Sequence, residues 1–219
     1  MHRQTPIIAI LTGDLVGASK APTEAVEAAL TLIRHTVEDF CTAIGADQPR
    51  FTRSRGDGWQ ASLSQPAAAL RLAVITAARL RGSAALPATR LAIGLGTASN
   101  LGSADLSDGA GAAFIASGRG LDLLKGQRPE LAIAGAGVGP LHQLAVDLID
   151  LRLGRWTREQ AEAAAHFLAP DAPSMVEIAR RLSISPQAVS YRLAGADAAR
   201  IAGALALWEA ASTETEAER

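Results

Sequence analysis

The sequence has a single cysteine, Cys41, in 219 residues. No disulfide can close within the chain, and a structural zinc site built on thiolates is excluded. Cys41 reads as a small buried residue near a helix end. Aromatic residues make up only 4% of the chain while 48% is hydrophobic, so the core must be aliphatic. Alanine and leucine dominate, which points to helices packed on a modest sheet. A net charge of −1 gives no global basic field, so any nucleic-acid contact must be a local patch. Met1-His2-Arg3-Gln4-Thr5-Pro6 leads into an apolar run ending at Leu11 that is too short to span a bilayer. It also lacks the layout of a signal peptide. The expectation is a cytoplasmic protein with no membrane contact. Two phosphate-binding signatures are missing as well. Residues 13–20 lack the Gly-Lys-Ser/Thr ending of a P-loop, and Gly94-Leu95-Gly96-Thr97-Ala98-Ser99 lacks the third glycine of a dinucleotide fingerprint. No internal repeat is present.

The length suits one large domain, or one of about 150 residues with a smaller one behind it. The run 7–11, bounded by Pro6 and Gly13, reads as a strand buried on both faces. A small-residue turn follows, then a helix over 22–44 with Leu30, Ile33, Val37 and Phe40 on one face. Residues 51–55 and 59–63 read as a hairpin, with Gly56 and Asp57 as the central pair of a II′ turn. Then come a helix over 66–81, a strand over 89–97, a Gly-rich loop over 98–111, a helix over 112–125 and a short strand over 131–134. A helix over 141–151 carries Leu141, Leu144, Leu148 and Leu151 at helical spacing. This order predicts an α+β domain, residues 1–154, with helices covering one face of a mostly antiparallel sheet. Residues 155–212 predict a small all-α domain, and 213–219 a flexible polar tail.

The candidate site rests on two aspartates, Asp14 in Thr12-Gly13-Asp14-Leu15-Val16-Gly17-Ala18-Ser19 and Asp57 in Arg55-Gly56-Asp57-Gly58. A strand, a crossover helix and a second strand return the chain in the same direction. Both aspartates then fall at the same end of the sheet. Two carboxylates held close repel unless a cation sits between them, and Mg²⁺ favours a few protein oxygens together with phosphate oxygens. Gly13 and Gly17 allow close backbone approach. The N–H groups of Leu15, Val16, Gly17, Ala18 and Ser19 near a helix start suit phosphate. Asp14 and Asp57 are therefore the candidate metal ligands.

Toward the C-terminus, Thr157 with Gln160 and Ser174 with Glu177 form capping boxes. The helix of residues 175–182, the turn Ser183-Ile184-Ser185 and the helix opened by Pro186 match helix-turn-helix spacing. Ile178, Leu182, Ile184, Val189 and Leu193 are its expected core. Ser185, Gln187, Ser190 and Tyr191 are candidate contacts to base edges or phosphate in double-stranded DNA, and Arg180, Arg181 and Arg192 candidate phosphate contacts. Residues 151–208 hold seven arginines, no lysine and five acidic residues, an excess that predicts modest affinity and a homodimer. A last helix is expected over 197–211.

Taken together, these motifs resemble the SatD family of bacterial proteins. The likeness runs through the two aspartate motifs with Trp59-Gln60, Arg90-Leu91-Ala92-Ile93-Gly94-Leu95-Gly96, Asp108-Gly109-Ala110-Gly111-Ala112-Ala113-Phe114-Ile115-Ala116-Ser117-Gly118-Arg119 and Arg155-Trp156-Thr157-Arg158-Glu159-Gln160. The first domain is also similar to class III nucleotidyl cyclase domains, which share a ferredoxin-like fold with diguanylate cyclases. That resemblance implies that Asp14 and Asp57 hold metal on a nucleotide. It implies that Arg53, with Gly56 beside it in the hairpin, takes part in choosing a purine. Arg119 would be the ribose and transition-state arginine. The asparagine expected one turn before it is Ile115, which argues for binding without turnover. The resulting expectation is a purine-nucleotide and Mg²⁺-responsive, DNA-binding transcription regulator. A catalytically active cyclase with a regulatory helical domain, and an interaction scaffold with a decayed site, are its rivals.

Overall fold

The computed structural model describes residues 5–54, 56–126 and 130–217, with side chains as far as 212. Arg55 of the hairpin motif and residues 218–219 of the expected tail lie outside the described residues. The chain runs β1 (Ile7–Leu15), a 3₁₀ turn (Ala18–Lys20), α1 (Thr23–Ala43), β2 (Phe51–Ser54), β3 (Gly58–Leu63), a second 3₁₀ turn (Pro66–Ala68), α2 (Ala69–Gly82) and β4 (Thr89–Asn100). It continues through β5 (Ala110–Gly111), α3 (Ala112–Leu124), β6 (Leu131–Gly135), α4 (Pro140–Leu153), α5 (Arg158–Phe167), α6 (Met175–Leu182), α7 (Pro186–Gly195) and α8 (Ala198–Ala217). The backbone of α8 thus extends into the segment read as a tail.

The α+β class expected from the element order holds. The sheet has the order β2-β3-β1-β4, with β5 and β6 sharing the outer edge of β4. β1 is central and antiparallel to both β3 and β4, whereas β6 runs parallel to β4. Two antiparallel steps make β2 run in the same direction as β1, although the two strands do not touch. The sequence inference about direction therefore stands, with β3 interposed.

Alternation along β1 divides the core. Ala9, Leu11 and Leu15 join the large buried cluster with Ala29, Ile33 and Val37 of α1 and with the apolar side of α2. Ile8 and Ile10 point the other way, onto Ala113 of α3. The one-sided layering expected from the sequence needs correction here, because α3 covers the opposite face. Its close approach depends on glycine. A Cβ on Gly94 would fall on the Ala113 carbonyl oxygen, and one on Gly96 would sit 2.9 Å from the Ala113 nitrogen. Thr12 Oγ1 and Ser117 Oγ meet at 2.8 Å across this layer.

Two local expectations are corrected, and one helix is turned in a way its spacing did not specify. β1 extends to Leu15, so Gly13, Asp14 and Leu15 are strand residues rather than turn residues. The β2–β3 ladder closes at Ser54 and Gly58, leaving a three-residue loop instead of a two-residue II′ turn. The leucine stripe that marks α4 in the sequence faces away from the core. Val146, Ile149 and Leu153 on its other side are buried instead.

The C-terminal helices share the main core. Ala161, Ala164, Ile178, Val189, Leu193 and Leu205 belong to the same buried cluster as Leu72 and Ala73 of α2. Trp156 donates from Nε1 to the Ala196 carbonyl at 2.8 Å, and Arg71 of α2 grips Glu209 of α8 at 2.6 and 2.8 Å. The Thr157–Gln160 capping box is complete. Ser174 accepts from the Glu177 N–H, but the Glu177 carboxylate turns to Arg180 and Arg181, so only half of that box forms. Among the described residues no helix is long and apolar enough to cross a membrane.

Candidate functional site

The end of β1 is built around Gly13. Its neighbour across the ladder is Trp59, and a Cβ on Gly13 would sit 2.5 Å from the indole ring. The ring is wholly buried, crosses over β1 and donates from Nε1 to Thr89 Oγ1 at 3.0 Å. Thr89 in turn donates to the Asp14 carbonyl at 2.8 Å. The glycine read as giving room for a ligand thus gives room for a tryptophan.

Asp14 lies opposite Gly58 on β3 and Arg90 on β4. The Leu15 N–H donates to the Asp57 carbonyl at 3.3 Å, so the two aspartates reach the same end of the sheet. Their side chains have different surroundings. Both oxygens of Asp14 accept from Arg90, at 2.9 Å from Nε and 3.0 Å from Nη2. This ion pair is mostly shielded, with side-chain exposures of 23% for Arg90 and 17% for Asp14. Asp57, half-buried, lines a cavity of about 360 Å³ together with Ala18, Ser19, Glu27, Arg53 and Gly56. Asp14 is not among the residues lining it.

Within this cavity Arg53 is oriented from both sides. Nη1 contacts Glu27 Oε1 at 2.6 Å and Nε donates to the Gly56 carbonyl at 2.9 Å. The N–H groups of Leu15 and Val16 are committed to the carbonyls of Asp57 and Ala88. Among the described residues, the N–H groups of Gly17, Ala18 and Ser19 donate to no protein acceptor. Gly17 holds a left-handed φ of 74° that places this turn. Arg119 and Ile115 are exposed on the outer side of α3, and neither lines the cavity. Lys125 at the end of α3 is held protonated beyond its usual range, chiefly by a hydrogen bond to Asp122, with a lesser pull from Asp14.

Sequence reasoning gave no role to Arg90, Thr89 or Glu27. Arg90 comes to Asp14 only through the β1–β4 register, which sets the two opposite each other. Glu27 lies on the first turns of α1, where its position depends on how the turn after β1 is set. Among the described residues no group of three or more histidine, cysteine, aspartate or glutamate side chains gathers as a metal centre. A cation at this end of the sheet would draw on Asp57 and on lone pairs of Asp14 that Arg90 leaves free, since each carboxylate oxygen has two.

The second candidate surface lies on α6 and α7. Ser183 takes a left-handed φ of 55° and ends α6, and Ser185 caps α7 by accepting from the Ala188 N–H. Ile178, Val189 and Leu193 are buried, with Leu182 and Ile184 packed partly beneath them. Gln187, Ser190 and Tyr191 share one exposed face of α7, Tyr191 at 80% exposure. The arginines are less free. Arg180 and Arg181 both bind Glu177, whose carboxyl is pulled down to about 2 by those hydrogen bonds. Arg192 turns inward to Glu162 of α5 at 3.0 Å.

No family model matches the sequence, and no curated protein matches it. Among solved structures it is similar to a bacterial light-regulated adenylyl cyclase, at 21% identity over 61% of this chain with a TM-score of 0.43. The match spans 44% of that protein's length. It is also similar to the catalytic core of a rhodopsin-guanylyl cyclase with converted specificity in complex with ATPαS, at 14% identity over 54% of this chain and 72% of that one, TM-score 0.42. The active GGEEF domain of a diguanylate cyclase from Vibrio cholerae matches at 16% identity over 58% of this chain and 83% of that one, TM-score 0.41.

Proposed function

We propose that this chain is a nucleotide-responsive DNA-binding regulator. A purine nucleotide carrying Mg²⁺ binds at the shared end of β1 and the β2–β3 hairpin, and α6 with α7 forms a helix-turn-helix that binds operator DNA. The observation that carries the reading is the cavity in which Ala18, Ser19, Arg53, Gly56 and Asp57 converge from separate stretches of chain, at the sheet end where Asp14 also lies. Its donors suit a phosphorylated ligand. The N–H groups of Gly17, Ala18 and Ser19 donate to no protein acceptor among the described residues and suit phosphate oxygens, while Arg53, prealigned by Glu27, offers a fork of N–H groups. Asp57 and Asp14 would hold Mg²⁺, which when bound would neutralise phosphate charge.

Binding without turnover is favoured by the position of Arg119. It stands on the outer side of α3 and does not line the cavity, and its helical neighbour one turn earlier is Ile115. The DNA reading rests on the exposed polar face of Gln187, Ser190 and Tyr191 above a buried apolar base. The nucleotide changes DNA binding only if it binds the competent and incompetent states with different affinity. α2, which packs against α1 on one side and α5 on the other and is clamped to α8 by Arg71, would carry the coupling between the two regions.

Titration calorimetry with ATP and GTP in Mg²⁺ tests the first half. Binding by the wild type and its loss in Asp57→Ala of unchanged circular dichroism is the expected result. No heat from either nucleotide removes the sensing role. Selection from a random double-stranded DNA pool, followed by fluorescence anisotropy with and without nucleotide, tests the second half. Failure to enrich any sequence leaves the helices as a protein-contact module.

A further inference from the structure

The outer side of α4 is apolar and faces away from its own core. Leu141, Leu144, Leu148 and Leu151 are 79%, 52%, 58% and 56% exposed, while Val146, Ile149 and Leu153 on the reverse side are buried. Contiguous leucines left open in this way mark an interaction surface. Their spacing of three, four and three is that of the a and d positions of two heptads. At 1.5 Å per residue the seam is about 15 Å long from first leucine to last. Position g is Asp147, exposed, and the following e is Arg152, half-buried at the seam's flank. Arg152 Nε lies 2.8 Å from Asp197 Oδ2 and Nη2 donates to the Gly195 carbonyl.

We propose that α4 is the seam of a homodimer in which two copies of this chain pack their leucines in parallel about a two-fold axis. A two-fold interface must be complementary to itself. A heptad seam meets that requirement in register: Leu141 faces Leu141 of the other copy, and likewise along the helix. Charge selects the orientation. In a parallel pair, g of one helix lies beside e of the next heptad on the other, so Asp147 meets Arg152 twice by symmetry. An antiparallel pair would bring Asp147 against its own counterpart. This inference does not depend on the nucleotide site.

Analytical ultracentrifugation of the full chain tests it. The wild type is expected to sediment as a dimer, and Leu144→Glu with Leu148→Glu as a monomer with unchanged circular dichroism. Asp147→Arg sets like charges beside Arg152 and is expected to weaken the dimer about tenfold or more. Leu144→Cys is expected to cross-link to itself under mild oxidation, since the chain's own Cys41 is buried. A wild type that stays monomeric at roughly 100 μM overturns the proposal. So does a dimer that survives the two glutamates, a tighter dimer from Asp147→Arg, or no cross-link through residue 144.

Discussion

Arg90 holds both carboxylate oxygens of Asp14, at 2.9 and 3.0 Å, across the β1–β4 ladder. A bidentate pair of this kind is a strong charge-assisted contact. It also sets a competition, because a guanidinium and a divalent cation draw on the same carboxylate. Removing Arg90 has two expected effects of opposite sense. Arg90→Ala leaves a mostly shielded carboxylate without its partner and lowers stability by about 1–3 kcal/mol. It also frees Asp14, so Mg²⁺-nucleotide affinity rises several-fold over the wild type. Urea unfolding and titration calorimetry on the same variant check both. Unchanged or weaker nucleotide binding in a folded Arg90→Ala protein removes Asp14 from the set of metal ligands.

Gly13 gives a second prediction, about packing rather than ligand approach. Its missing Cβ is the space occupied by the Trp59 indole, which is tied to Thr89. Gly13→Ala must push the ring off this position, since strand backbone on both sides is fixed by the ladder. Overpacking of this kind costs about 1–3 kcal/mol, with loss of the indole hydrogen bond added. Urea unfolding gives the loss of stability, and a shift in tryptophan emission reports the displaced ring. Gly17→Ala is the control. Nothing lies within 4 Å of the added methyl, so only the cost of a left-handed φ remains, about 1 kcal/mol.

Much of this was legible in the sequence because the periodicities are plain. The alternation and length of 89–97 and the apolar stripe of 22–44 placed β4 and α1 to within a few residues. Chain direction alone put Asp14 and Asp57 at one end of the sheet. What could not be read is what the sheet interposes. Strand order put β3 between β1 and β2, and Trp59 over Gly13. Register put Arg90 on Asp14, a contact between residues 76 apart. The layering of α3 on the second face followed from Gly94 and Gly96. In the sequence these look like an incomplete nucleotide motif, yet they are where a helix backbone lies against the sheet. α4 was legible as a helix, but its orientation was not. Both of its faces are apolar, so spacing alone did not say which one meets the core.

His166 supplies a pH-dependent prediction. It lies on α5 in the cleft shared with Asp39, Arg79, Asp171 and Arg181. Burial, then the positive charges of Arg181 and Arg79, hold its pKa below the usual 6.5, while Glu162 pulls the other way. In the unfolded chain it protonates near its ordinary value, so acidification loads protons on the unfolded state first. Stability is therefore complete above about pH 6.5 and falls as pH drops below it. His166→Gln is expected to flatten this slope between pH 7.5 and 5.5. Thermal melts at both values decide it: an equal loss of Tm in the wild type and the variant assigns the acid sensitivity elsewhere.

The α7 surface separates a contact role from a structural one. Tyr191 is 80% exposed, and its loss should leave the melting temperature unchanged. Arg192, its neighbour in sequence, points the other way and ties α7 to Glu162 of α5, with side-chain exposures of 23% and 41%. Arg192→Ala should cost about 0.5–1 kcal/mol and loosen the seating of α7. If α7 reads DNA, Tyr191→Ala lowers affinity for a selected site about tenfold with no change in stability. It does so more for that site than for random DNA, because a lost base-edge or sugar contact removes discrimination. Arg192→Ala instead weakens both classes of DNA together and reduces stability. Anisotropy titrations at matched salt, run beside thermal melts, distinguish these patterns. A Tyr191→Ala protein that binds selected and random DNA as the wild type does would show that the exposed face of α7 serves something other than DNA.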